Sequence, residues 1–379
     1  MTPWLWRGSV LVGALLLGAC AADKPKPTPL ETYEPKIAAR QLWEARIGGS
    51  ALPGFGGIGF PLVPAVNDNV VTIASGDGDV RALQAETGAV LWAAAAGEPI
   101  SAGVGSDGRF SSVVTRGNEV LTFDSGRPVW RKRVPSSVVT PPLVAGERVF
   151  VMGVDRAVHA FDAIDGRRLW TLQRPGDALT LAQPSVLSFY RNTLLVGQGP
   201  RLAGVDPLRG TVLWEVPMAS PRGSNEVERL ADLVGPPLRL GERVCMRAFQ
   251  SSVGCADAAR GAVLWSRSVG GANAVGGDAE RIVGADASDR ITAWRSATGD
   301  VVWSSEKLLY RGLSGAAVVG ASVVFGDAEG WLHFLNAATG EPQLRLPTDG
   351  KAVVGVPVLA GTTLLVTTQS GGLFAFRLN

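Results

Sequence analysis

The stretch Ala85-Glu86-Thr87-Gly88-Ala89-Val90-Leu91-Trp92 decides the fold, because it keeps returning. It reappears as Asp162-Ala163-Ile164-Asp165-Gly166-Arg167-Arg168-Leu169-Trp170, then as Asp257-Ala258-Ala259-Arg260-Gly261-Ala262-Val263-Leu264-Trp265, and again from Arg295 to Trp303. Trp43, Trp92, Trp130, Trp170, Trp214, Trp265 and Trp303 follow one another at intervals of 38 to 51 residues. A period of that length marks one supersecondary unit copied in series.

Outward from the motif, Pro141–Trp170, Pro236–Trp265 and Gly315–Leu344 align without gaps. Each holds short apolar or alternating runs split by Gly, Asn and Asp, the pattern of strand-turn-strand units. Four short strands in some 40–45 residues describe a propeller blade. An indole buries roughly 150–250 Å² and can fill the gap between neighbouring blades. The Gly four residues before it supplies a left-handed turn into the last strand.

The six tryptophans from Trp92 to Trp303 close six units, and Leu344 closes a seventh that has lost its Trp. An eighth starts at Val356 and stops at Phe376 without a Trp strand, while Arg40–Arg46 around Trp43 is a Trp strand with no blade before it. The sequence therefore predicts an all-β, eight-bladed propeller of four-stranded antiparallel blades over 39–379. Its N-terminal strand completes the C-terminal blade and removes a free sheet edge. The 48 glycines, 46% hydrophobic and 18% charged residues suit one such domain, and a net charge of +2 without a long basic run gives no support for nucleic-acid binding.

Arg7 and the apolar run Val10–Leu17 read as a signal peptide over 1–19, too short to span a bilayer. It ends in Leu17-Gly18-Ala19-Cys20, which resembles a bacterial lipobox and marks Cys20 for lipidation. Ala21 in place of Asp favours the outer membrane under the lipoprotein sorting rule. The Pro- and Lys-rich segment that follows predicts a flexible tether over 20–38. Cys245 and Cys255 flank a hairpin turn at Gln250, so they can face each other and bridge; two buried free thiols are the alternative.

Signals for chemistry are few. His159 and His333 occupy one slot of the repeat and read as structural, and no Cys/His cluster has metal spacing. Gly103–Gly108 matches G-x-G-x-x-G without a following helix, and Asp77-Gly78-Asp79 is a fragment of a calcium loop; both read as turns. No catalytic constellation and no cofactor site is expected. Two segments between blades break the repeat: Val216–Asp232, and Gly176–Gln183 with Leu179 and Leu181 two residues apart, on one side if the segment is extended. Irregular loops on a rigid scaffold are where binding residues gather.

The lipobox, the Gly-x-x-x-Trp repeats and the Arg222-Gly223-x-x-Glu226-x-x-Arg229-Leu230-x-Asp232 segment together resemble the BamB family of outer-membrane assembly lipoproteins, over the whole chain. The resemblance implies a non-enzymatic, palmitate-bearing lipoprotein on the periplasmic face of the outer membrane. Its partner would be the periplasmic domains of BamA, within the complex that inserts β-barrel proteins. Contact would run through Leu179, Leu181, Arg222, Glu226, Arg229 and Asp232. The family pattern has Arg where this chain has Ala182, and Asp where it has Val234, which points to a more apolar or shifted contact. Whether nascent outer-membrane proteins also touch the propeller is open. A quinone-dependent periplasmic dehydrogenase shares the Trp repeat, though this chain lacks an adjacent cysteine pair and an evident calcium-ligand set. A peptide- or sugar-binding propeller is the third reading.

Overall fold

The computed structural model describes residues 25–48, 51–52, 60–61, 63–174, 179–181, 183–221 and 223–378. Eight four-stranded antiparallel sheets follow one another along the chain. In the third blade the strands are Leu143–Ala145, Arg148–Met152, Val158–Asp162 and Arg168–Leu172, paired in that order. First strands adjoin between most successive blades, the eighth and first included, and the third–fourth and fifth–sixth neighbours share hydrophobic cores, so the blades form a closed ring. The eighth blade consists of Val353–Ala360, Thr363–Thr368 and Gly372–Leu378, completed by Ala39–Arg46. Ala39–Arg46 and Gly372–Leu378 thus share one sheet, as the orphan Trp43 strand predicted. Outside the blades, Ala51–Leu52 pairs with Phe60–Pro61.

The packing explains the motif. Gly88, Gly126, Gly166, Gly210, Gly261, Gly299 and Gly340 all have φ between 70° and 84°, except Gly261 at 64°. Each lies against the indole of the preceding blade, in the pairs Trp43–Gly88, Trp92–Gly126, Trp130–Gly166, Trp170–Gly210, Trp214–Gly261, Trp265–Gly299 and Trp303–Gly340. A Cβ on any of them would come within 2.9 Å of the ring. Glycine is required here twice over, for its left-handed backbone and for the bare surface on which the indole lies. The indole N–H of Trp43, Trp130, Trp170, Trp265 and Trp303 also donates to a carbonyl three residues before its glycine, at 2.8–3.0 Å. Leu344 has a physical cause in this light. Its next blade is completed by Ala39–Arg46 rather than by a hairpin, so the turn that would receive an indole does not exist.

A second regularity was not visible in the sequence. The pairing of the last two strands slips by one residue in every blade, immediately before the Trp position. Leu91, Val129, Leu169, Leu213, Leu264, Val302, Gln343 and Leu42 are the extra, unpaired residues. Such bulges sharpen the local twist and re-aim a side chain; here they turn the indole toward the next blade. They also account for the exposed apolar residues just before several tryptophans, such as Leu91 and Leu213.

Cys245 and Cys255 are directly opposed across strands Arg243–Ala248 and Ser252–Asp257, fully buried and joined by a disulfide. A loop this short, closed by a disulfide, contributes about 3 kcal/mol through the unfolded chain. Denatured, unreduced protein is expected to show no titratable thiol at these positions; two reactive thiols there would contradict the bridge. In the same strand Arg247 is wholly buried, and its hydrogen bonds all go to main-chain carbonyls. Nε donates to Asn273 O at 2.7 Å, Nη1 to Val269 O and Gly270 O at 3.2 and 2.7 Å, and Nη2 to Ala285 O at 2.7 Å. Burial pulls its pKa down to about 10, so the guanidinium stays charged at neutral pH while it staples the fifth blade to the sixth.

The tether expectation over 20–38 needs correction for residues 25–38, which lie along the seventh blade. Thr28 N–H donates to Leu309 O at 2.9 Å, and Arg311 Nη1 donates to Thr28 O at 3.1 Å. Arg345 donates to Glu31 O at 2.8 Å and stands 5.2 Å over the Tyr33 ring. Lys36 N–H donates to the carbonyl of the bulge residue Gln343 at 2.8 Å. Leu30 packs into the core between blades six and seven, and Ile37 into that between seven and eight. Reading proline and lysine content as disorder overlooked these apolar residues interleaved among them. Extended, proline-stiffened chain loses little entropy on docking.

Candidate functional site

Both segments that break the repeat meet at one patch on the rim. The longer follows strand Val212–Pro217 and leads to strand Leu233–Leu240. Its roots are fixed. Met218, Ala219, Ala231 and Leu233 are buried in the core between the fourth and fifth blades, and Met218 N–H donates to Pro200 O at 2.9 Å. Its tip carries one capped turn. Asn225 Oδ1 accepts from Glu228 N–H at 2.9 Å, and Glu228 accepts from the Ser224 N–H at 2.7 Å and from its hydroxyl at 3.0 Å. The bond from the Ser224 N–H is the main reason the Glu228 carboxyl is held below the usual range. This is the reciprocal satisfaction of free N–H groups that starts a helix, stopped after one turn.

The shorter segment contains Leu179 and Leu181. Neither leucine, nor Thr180 between them, lies in a strand, so the two do not share a strand face. Leu179 is 36% exposed and Leu181 is half-buried. The backbone is held instead by Asp232. Its Oδ2 accepts from Leu181 N–H at 2.8 Å, and its Oδ1 accepts from Arg156 Nη2 at 3.2 Å. Arg156 Nη2 also donates to Leu179 O at 3.3 Å. Between the two segments lies a cavity of about 120 Å³ whose walls include Leu179, Leu230, Pro200, Pro221, Glu226 and Arg229.

The structure therefore sorts the predicted site residues. Leu179, Leu181, Glu226, Arg229 and Asp232 come together. Glu226 and Arg229 are exposed, and their side chains make no hydrogen bond or ion pair among the described residues. Asp232 is only 9% exposed and faces inward, onto the other loop. Val234, where the family pattern has Asp, is 1% exposed and offers no contact surface. Arg222, Ala182 and Cys20 lie outside the described residues. Sequence reasoning missed Arg156. Its signal was present in the gapless repeat alignment: Arg156 stands where the seventh blade has Gly330, and both have left-handed backbone, φ 63° and 82°. A non-glycine residue in that conformation marks a site where something else is gained.

Elsewhere the polar clusters read as structure. Asp77-Gly78-Asp79 forms a hairpin turn, with Gly78 N–H donating to Ser75 O at 3.2 Å. His333 and His159 take equivalent places, opposite Phe325 and Val151. His333 Nε2 lies 2.9 Å from Asp327 Oδ2, and burial nevertheless pushes its pKa down. Among the described residues no three His, Cys, Asp or Glu side chains are placed to hold a metal.

Fold and site together define a repeat propeller, locked blade to blade by indoles on glycines, with one built-up patch made from two rim loops. Residues 40–305 match the family described as outer membrane protein assembly factor BamB. The chain is 33% identical over 369 residues to the protein of that name from Burkholderia pseudomallei, covering 96% of this chain and 95% of the relative. It is 34% identical to that of Bordetella pertussis over 383 residues, covering 99% and 97%. The crystal structure of BamB from Moraxella catarrhalis superposes with a TM-score of 0.79 at 21% identity, over 90% of this chain and all of that one. A quinohemoprotein alcohol dehydrogenase from Comamonas testosteroni shares the fold with a TM-score of 0.67 at 14% identity, over 89% of this chain and 76% of that one. This chain belongs to the BamB family of outer membrane protein assembly factors.

Proposed function

We propose that the chain is a non-enzymatic, lipid-anchored subunit of the outer-membrane β-barrel assembly machinery, docking on the periplasmic domains of BamA. The observation that carries the reading is the convergence of two loops from different parts of the chain on one patch, tied through Asp232. The names of the relatives, outer membrane protein assembly factors, support the same role. Leu179 and Leu230 supply apolar area at about 25 cal/mol per Å² buried. The charges of Glu226 and Arg229, unpaired among the described residues, set orientation and exclude wrong partners. In this reading residues 1–19 are removed as a signal peptide and Cys20 carries the acyl chains, on the periplasmic face of the outer membrane. Thr28, bonded to Leu309, is eight residues from that cysteine. At about 3.5 Å per residue the seventh blade then stands no more than about 28 Å from the anchor.

The test is a pull-down of BamA periplasmic domains by the purified chain. Leu179→Ala with Leu181→Ala should weaken binding by roughly thirtyfold or more, since truncating an interface leucine costs about 1–2 kcal/mol. Melting should be unchanged, because neither side chain belongs to the core. Full binding by the double variant would remove this surface from the account.

A further inference from the structure

We infer that Arg156 and Asp232 form a clamp that pre-shapes the leucine loop for docking, so that both act as positioning residues and not as contacts; this rests on the docking reading above. Arg156 stands in the hairpin turn between Arg148–Met152 and Val158–Asp162 of the third blade. Its guanidinium passes over Gly199, in the corresponding turn of the fourth blade, where a Cβ would come 3.4 Å from Cζ. It ends on Asp232, at the entrance to the fifth blade, 3.2 Å away. Three blades are thereby linked at one rim.

The acceptors show what the clamp holds. One guanidinium nitrogen takes Leu179 O and Asp232 Oδ1 together. The other carboxylate oxygen takes Leu181 N–H at 2.8 Å. Leu179 O and Leu181 N–H are main-chain groups of residues that belong to no strand or helix, so Arg156 and Asp232 do what a ladder does elsewhere. The aspartate is itself anchored, since Phe249 N–H donates to Asp232 O at 2.9 Å. Arg156 and Asp232 side chains are 16% and 12% exposed, too covered to meet a partner broadly, yet water-excluded enough for charge-assisted bonds to hold.

The consequence for binding follows from conformational populations. A loop held in its bound shape binds with its intrinsic affinity. A loop that samples other shapes binds more weakly, by the fraction of time it is correct. Without the clamp the leucines remain in the chain but are no longer presented together.

The experiment uses the full chain and BamA periplasmic domains as probe, with Arg156→Met, Arg156→Lys and Asp232→Asn. Amide exchange at Leu181 is read in the free protein. Asp232→Asn and Arg156→Met should speed it about tenfold or more, with blade amides and melting unchanged. Affinity for the probe should fall about tenfold in the same two variants, and Arg156→Lys should recover part of both effects. Unchanged exchange at Leu181 overturns the clamp. Faster exchange with unchanged affinity overturns its positioning role. Faster exchange in the variants, with no binding even by the unaltered chain, leaves the clamp standing and sinks the docking reading instead.

Discussion

Replacing Arg247 by methionine is expected to destabilise the propeller by about 4 kcal/mol, read as a lower urea midpoint. Methionine fills much of the volume, so the loss is one of hydrogen bonds. Four main-chain carbonyls, at Asn273, Val269, Gly270 and Ala285, would lose their donor together. A buried acceptor left bare costs about 1–3 kcal/mol. Removing a buried charge gives some of that back, because burial already works against the guanidinium. Arg247→Lys should recover only part of the loss. A compact ammonium cannot reach carbonyls that surround a planar fork. A neutral Arg247→Met variant would mean that the carbonyls find other donors.

The second large effect concerns the Trp–Gly contact. Gly299→Ala should cost about 3 kcal/mol. An alanine at φ 73° carries roughly 1 kcal/mol of backbone strain. The remainder comes from the ring, because the new Cβ would lie 2.5 Å from the Trp265 indole, which is 6% exposed. The indole must shift, and overpacking of this kind costs about 1–3 kcal/mol. Gly241→Ala is the matched control, with φ 61° and nothing within 4 Å of the new Cβ. It should cost only the strain. Equal losses in the two variants would show that the indole contact adds nothing.

These two sites mark how far the sequence could be read. The Trp–Gly spacing was legible because every copy solves the same problem, namely covering the apolar face of the next blade. Trp43 and the truncated eighth unit likewise announced the ring closure. Arg247 was illegible. In Met246-Arg247-Ala248 an alternating strand would aim it outward, and only the fold brings four carbonyls around it. The bulge before each Trp was hidden for a related reason: one extra residue per strand leaves no compositional trace. Residues 25–38 misled because proline and lysine dominate a window in which Leu30, Tyr33 and Ile37 do the packing.

The candidate site was half legible. Its two loops stood out as departures from the repeat, and the departure from even spacing between Trp214 and Trp265 located the larger. Which residues face out and which hold the loops in place was not readable. Asp232 and the exposed Glu226 are alike in sequence, and their roles separate only when Arg156 arrives from the third blade. The absence of charge at Val234 is explained by its burial in a strand start.

The proposed docking on BamA is decided by titrating purified BamA periplasmic domains into the full chain. Saturable one-to-one binding is expected, largely abolished by Leu179→Ala with Leu181→Ala, together with no dye reduction when quinone and calcium are added. No binding at micromolar concentrations, or quinone-dependent turnover, would rule the docking role out.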